Sequence, residues 1–200
     1  SKVLTIAVTA LGDLEGRTPV RRDGARPGDV VAYTGHLGLS AAGLALLEHG
    51  VEGPASCLAE HRRPSPPYAS GPEAARLGAT AMLDVSDGLL QDLGHIARSS
   101  GARLDLASEA FDPDPALLEA VEVLGLGARG VSEAARAMML VGGEDHALAA
   151  TFPPEVDLPA HWRTVGTVMP VQEGADGETA IVTVDGNVMS GGGWDHFRRE

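Results

Sequence analysis

Residues 84–88 read Asp84-Val85-Ser86-Asp87-Gly88, and what flanks them decides the fold. Residues 79–83 ahead of them form a short, mostly apolar run with the character of a strand. Behind them, Leu89, Leu93, Ile96 and Ala97 recur at i, i+4, i+7 and i+8, which is one buried face of an amphipathic helix. Gln91, Asp92, His95 and Arg98 fall on the other side, and Ser100-Gly101 stops the helix. Two carboxylates and a hydroxyl therefore stand where a strand hands over to a helix. Hard oxygen donors beside a helix N-terminus suit a metal ion that carries phosphates. The plainer reading is helix capping by Ser86 or Asp87, worth about 0.5–2 kcal/mol. Capping needs only one such residue and leaves Asp84 without a task. The local sequence keeps both readings open.

Working outward, strands are expected at 30–34, at 103–106 where Leu104 and Leu106 alternate with Arg103 and Asp105, at 147–152 and at 163–169. Segments 179–184 and 188–189 flank Asp185-Gly186-Asn187, a hairpin signal. Helices are expected at 41–49 with Ser40 as cap, at 73–78, at 113–124 and at 132–139. Residues 62–72 hold Pro64, Pro66, Pro67 and Pro72 and read as a loop. Short strands alternating with amphipathic helices define an α+β domain over residues 17–200, a mixed β-sheet with helices packed on its outer face. Residues 2–11 (Val3, Leu4, Thr5, Ile6, Ala7, Val8, Thr9 among them) read as a strand that opens abruptly, with no turn or cap ahead of it.

The chain has 200 residues and a formal net charge of −13, which argues against a nucleic-acid or anionic-membrane partner. An acidic protein that handles polyphosphates needs a divalent cation or local arginines to offset repulsion. Arg21, Arg22 and Arg26 form one such group, and Arg62 with Arg63 another, unless they are ordinary solvated surface. Cys57 is the only cysteine, so no internal disulfide is possible and a reduced cytoplasm fits. The apolar runs are short and broken by Gly or Pro, unlike a transmembrane span or a signal peptide.

The loop Thr34-Gly35-His36-Leu37-Gly38-Leu39-Ser40 matches neither the P-loop nor the dinucleotide fingerprint and reads as a structural turn. Gly142-Gly143-Glu144-Asp145 stands between a helix and a strand, where two glycines can bring Glu144 close to a ligand or merely make an acidic turn. Trp194 follows three glycines, a setting that suits stacking on a flat ring better than core packing. His36, His61, His95 and His146 have no partners at metal-ligand spacing and read as structural or solvent-facing.

Together these pieces resemble the thiamine-monophosphate kinase family of the aminoimidazole-ribonucleotide-synthetase-like (AIR-synthase-like) superfamily. The resemblance runs from about Val3 to Phe197. It rests on Arg22-Asp23-Gly24-Ala25-Arg26-Pro27-Gly28-Asp29, Ser40-Ala41-Ala42-Gly43-Leu44, Asp84-Val85-Ser86-Asp87-Gly88-Leu89 with Asp92-Leu93-Gly94-His95-Ile96, Gly142-Gly143-Glu144-Asp145, and Gly193-Trp194-Asp195-His196-Phe197. Their order and spacing carry more than any one of them. The resemblance implies that Asp84 and Asp87 bind Mg2+, that Ser86 and Arg22 contact ATP, and that Glu144 and Trp194 line the thiamine-monophosphate pocket. It implies ATP-dependent conversion of thiamine monophosphate to thiamine diphosphate, with no nucleic-acid or membrane partner and a homodimer for the full-length enzyme. Two departures stand out. His146-Ala147 replaces the family's usual Tyr-Glu, and the family's amino-terminal half, with its further acidic metal ligands, does not precede Val3. The expectation is therefore a carboxy-terminal AIR-synthase-like domain at 17–200, with 1–16 as the last strand of an absent amino-terminal domain and little turnover by this chain alone. The competing expectations are a non-catalytic ligand-binding or assembly domain, and a superfamily enzyme acting on a purine precursor.

Overall fold

The computed structural model describes residues 6–171 and 182–189. Strands β1 (Val30–Thr34), β2 (Ala81–Val85), β3 (Arg103–Leu106), β4 (Ala147–Phe152), β5 (Arg163–Met169), β6 (Val182–Val184) and β7 (Asn187–Val188) form one sheet in the order β2-β4-β1-β5-β3-β6-β7. Every pairing is antiparallel except β3 with β6, so the sheet is mixed, as expected from the sequence. Helices α1 (Leu39–His49), α2 (Ala55–Arg62), α3 (Ser70–Leu77), α4 (Leu89–Ser100), α5 (Pro115–Val123) and α6 (Val131–Val141), with a short 3₁₀ helix at Ser108–Ala110, complete the described elements.

Alternation along the strands sorts the core into two layers. Val31 and Tyr33 of β1 and Ala147 and Ala149 of β4 face the larger cluster, together with Leu46, Leu93, Ile96, Leu117 and Met139 from the helices. Ala32 and Ala150 point the other way, into a smaller cluster where Ala74 of α3 meets Phe152 and Trp162. Five helices thus supply the main layer, and α3 alone backs the opposite face. Phe152 and Trp162 meet edge-on at 5.1 Å between centroids, and Glu73 of α3 accepts the Trp162 indole N–H at 2.9 Å. Burial of this second face ties α3 to the chain leading into β5.

Several local expectations change. Pro72 lies within the first turn of α3, where a missing N–H costs nothing, so this helix begins at Ser70 rather than Glu73. Helix α2, which weak patterning hid, ends only at Arg62. Ser40 does not cap α1. The cap is Gly38 at φ 83°, and the acceptor for the free N–H groups is Asp145, more than a hundred residues away, taking Gly38 N–H at 2.6 Å and Ser40 N–H at 2.8 Å. The described part of the opening strand, from Ile6 on, pairs with no strand of the sheet, and Ile6 and Leu11 are 77% and 95% exposed.

Candidate functional site

The site lies at one end of the sheet, where β2 finishes and β4 begins. Antiparallel pairing sets Asp84 opposite Leu148 and Val85 opposite Ala147, so the loops that follow β2 and precede β4 must lie side by side. They are locked together. The Glu144 N–H donates to the Ser86 carbonyl at 2.7 Å, and a Cβ on Gly143 would come 2.7 Å from that same oxygen. Only glycine allows that approach. Glu144 and His146 both hold positive φ, 65° and 53°, conformations uncommon for residues with side chains and frequent at functional loops.

Asp84 is exposed at the end of β2, and Ser86 and Asp87 are half-buried. The Ser86 hydroxyl and the Gln91 amide each donate to the Asp87 carboxylate at 3.4 Å. Glu144 is exposed, and its carboxylate stands 3.7 Å from His146 Nε2. The structure thus brings Asp84, Ser86, Asp87 and Glu144 to one place. Arg22 lies in a turn beside the edge strand β2, away from the site end. Met82 N–H donates to the Arg21 carbonyl at 3.2 Å, and the Arg22 carbonyl accepts from Ser100 at the far end of α4. With a strand rise of about 3.3 Å per residue, that anchors its backbone roughly 7 Å along β2 from Asp84. Its side chain is exposed. Trp194 lies outside the described residues.

Among the described residues no side chain caps α4. Asp92, which the helical pattern assigns to the solvent side, is only 4% exposed and holds the loop just ahead of the helix. Its Oδ2 accepts the N–H groups of Ser86, Asp87 and Gly88 at 2.9, 2.9 and 3.2 Å. Burial raises the Asp92 pKa, opposed by these hydrogen bonds, with the nearby Asp87 charge adding to the rise. Its N–H acceptance has a chemical consequence. The N–H groups of this loop are used inside the protein, so what its side chains offer a ligand is carboxylates and a hydroxyl. An acid in the first turn of a helix was the available signal.

Those donors fit a hard divalent cation such as magnesium, which commonly takes one or two carboxylates and fills its remaining positions with water and substrate phosphates. Among the described residues no group of three or more His, Cys, Asp or Glu side chains is gathered to hold a metal by itself. Cys57 is buried, and burial pushes its thiol up to about 11, so it is a packing residue rather than a nucleophile. No helix of the described residues is long and apolar enough to cross a membrane.

A mixed sheet layered with helices, with an acidic strand-to-helix loop locked to a Gly-Gly-Glu-Asp loop at one end, defines the class. The family described as AIR synthase related protein, C-terminal domain, matches residues 26–174, and the chain belongs to it. Curated thiamine-monophosphate kinases are similar over nearly all of it. The protein of that name from Mycobacterium tuberculosis is 48% identical over 194 residues, 96% of this chain and 54% of its own length. The one from Corynebacterium glutamicum is 41% identical over 204 residues, 97% of this chain and 56% of its own. Among solved structures, AaThiL complexed with AMPPCP and TMP matches with TM-score 0.73 at 34% identity, covering 89% of this chain and 54% of that one. The chain therefore spans about half the length of the curated relatives it matches.

Proposed function

We propose that the protein acts in the ATP-dependent phosphorylation of thiamine monophosphate to thiamine diphosphate, a phosphoryl transfer whose acceptor is itself a phosphate. One observation carries the reading: the Asp84–Asp87 loop and the Glu144 loop are clamped to each other by the Glu144 N–H on the Ser86 carbonyl, at 2.7 Å. A donor held by the first and an acceptor held by the second would meet at the junction. Support comes from the similarity to proteins named thiamine-monophosphate kinase and to AaThiL holding AMPPCP and TMP.

In this reading Asp84 and Asp87 hold magnesium, Ser86 and Arg22 contact ATP, and Glu144 with Trp194 lines the acceptor pocket. The metal would supply neutralisation of phosphate charge. The acceptor's second pKa is about 6, so it is largely dianionic at neutral pH and needs no general base. What the residues must do is position two polyanions and offset their repulsion. Arg22 contributes a positive charge that does not titrate away. Ser86 and Gln91 fix the Asp87 carboxylate through their hydrogen bonds. The reading further places the protein in the cytoplasm, where a free thiol such as Cys57 stays reduced, and makes the complete enzyme a homodimer.

The test is thiamine diphosphate formation from ATP and thiamine monophosphate with magnesium, with aminoimidazole-type nucleotides as competing acceptors. In a full-length enzyme, Asp87→Asn keeps the shape and deletes a metal-holding charge worth several kcal/mol in the transition state, so kcat should fall at least about a hundredfold. An unchanged kcat, or preference for the purine precursor, would sink the reading.

A further inference from the structure

Beside the two clamped loops opens a cavity of about 310 Å³ whose walls include Pro66, Pro67, Tyr68, Asp84, His146 and Leu148. Tyr68 is 83% exposed, an unusual state for so large an apolar surface on a loop that is itself well held. The loop is braced from both sides. Glu60, buried in α2, accepts the Ser65 N–H at 2.7 Å and the Ser65 hydroxyl at 3.1 Å. Tyr68 N–H donates to the Pro66 carbonyl at 2.9 Å, and Ser70 N–H to that of Pro67 at 2.9 Å. Pro67 packs so near Gly35 that an added Cβ there would meet its ring at 3.4 Å. A backbone-braced loop of prolines thus displays one aromatic ring over an apolar floor. Bracing of the backbone lowers the ordering cost of binding at this loop.

The same cavity contains Asp84 and is continuous with the Glu144 loop through His146, whose Nε2 stands 3.7 Å from the Glu144 carboxylate. Among the described residues neither lysine nor arginine lines it, and His146 brings the Glu144 carboxylate close by. Apolar walls, an aromatic face and that nearby carboxylate favour one chemistry: a flat, positively charged aromatic ring. A neutral purine would gain the stacking but not the charge.

We propose that Tyr68 and the proline loop beneath it seat the cationic aromatic ring of the acceptor, with its phosphate end directed to the metal that Asp84 and Asp87 would hold, so that Tyr68 sets acceptor specificity. This rests on the phosphotransfer reading above, extends its acceptor pocket beyond Glu144 and Trp194, and gives residues 63–69 a role that proline content alone does not reveal.

The experiment is equilibrium titration of the protein with thiamine monophosphate, with AMPPCP and with a phosphate ester of similar size carrying a neutral ring. The Tyr68→Ala variant is expected to bind thiamine monophosphate about tenfold more weakly, as loss of a cation–π face predicts. Its Kd for AMPPCP and its Tm should not move, because the side chain is exposed. Tyr68→Phe should bind like the parent, and the neutral ester should be indifferent to both variants. Unchanged thiamine-monophosphate affinity in Tyr68→Ala overturns the proposal, as does a loss confined to AMPPCP. If the parent binds thiamine monophosphate through Tyr68 yet shows no affinity for AMPPCP with magnesium, the pocket stands and the kinase reading falls.

Discussion

Asp92 shows how much one side chain does here. A single carboxylate oxygen accepts three consecutive backbone N–H groups, and those three residues are the ones that present Ser86 and Asp87. Each such bond to a charged acceptor is worth about 1.5–3 kcal/mol against leaving a buried donor unmet. Asp92→Leu should therefore lower unfolding stability by roughly 3 kcal/mol or more, measured by urea denaturation, while Asp92→Asn, which keeps one acceptor oxygen, should cost about half as much. Activity should follow the loop. If Asp92→Leu proved as stable as the parent, the loop would be held by something other than this carboxylate.

At the scale of elements, Asp145 fastens the loop before β4 to the start of α1 by taking the Gly38 and Ser40 N–H groups. Burial pushes its pKa up to about 6 despite those two bonds, against a usual value of 3.8. The sign follows from proton binding. Between the unfolded value near 3.8 and the folded value near 6, the folded protein holds more protons on this group than the unfolded chain. Its contribution to stability is fully present below pH 3.8 and is lost as pH rises through 6. The swing is roughly 3 kcal/mol at about 1.4 kcal/mol per pKa unit. Across pH 4 to 6, Asp145→Asn should therefore flatten the stability profile relative to the parent, read by thermal melts at half-unit steps. A profile that keeps its slope in the variant would assign the dependence to another group. The same fastening couples α1 to the Glu144 loop, so the fold's packing and the candidate acceptor wall are one mechanical unit.

For the whole molecule, the proposed reading gives the metal two carboxylates among the described residues, Asp84 and Asp87, and the relatives that carry the kinase name are about twice as long. Thiamine diphosphate formation by these 200 residues alone should therefore be at least as weak as that of an Asp87→Asn enzyme, when compared with a full-length relative at equal magnesium. Robust turnover would mean that the acidic groups present complete the metal site unaided.

Much of this was legible in the chain. A period-2 pattern marks β3 and a period-3.6 pattern marks α4, because those elements bury one face against a shared core and the side chains record it, while short apolar or β-branched runs mark β4, β5 and the strand into Asp84. The Asp84–Asp87 and Gly142–Asp145 motifs, being local, stand out in order and spacing, while the local sequence leaves more than one reading of each open. What only the tertiary structure decided are the relations between distant segments. Asp92 and Asp145 look like polar-face and turn acids until folding supplies their backbone donors, the latter more than a hundred residues away. Tyr68 reads as one residue in a proline loop until β2 and β4 bring Asp84 and His146 to its side. Sequence patterns report which face of an element is buried, since that is a property of neighbouring residues. Which loop meets which, and which carboxylate caps which helix, depends on strand order in the sheet, and no local pattern encodes that order.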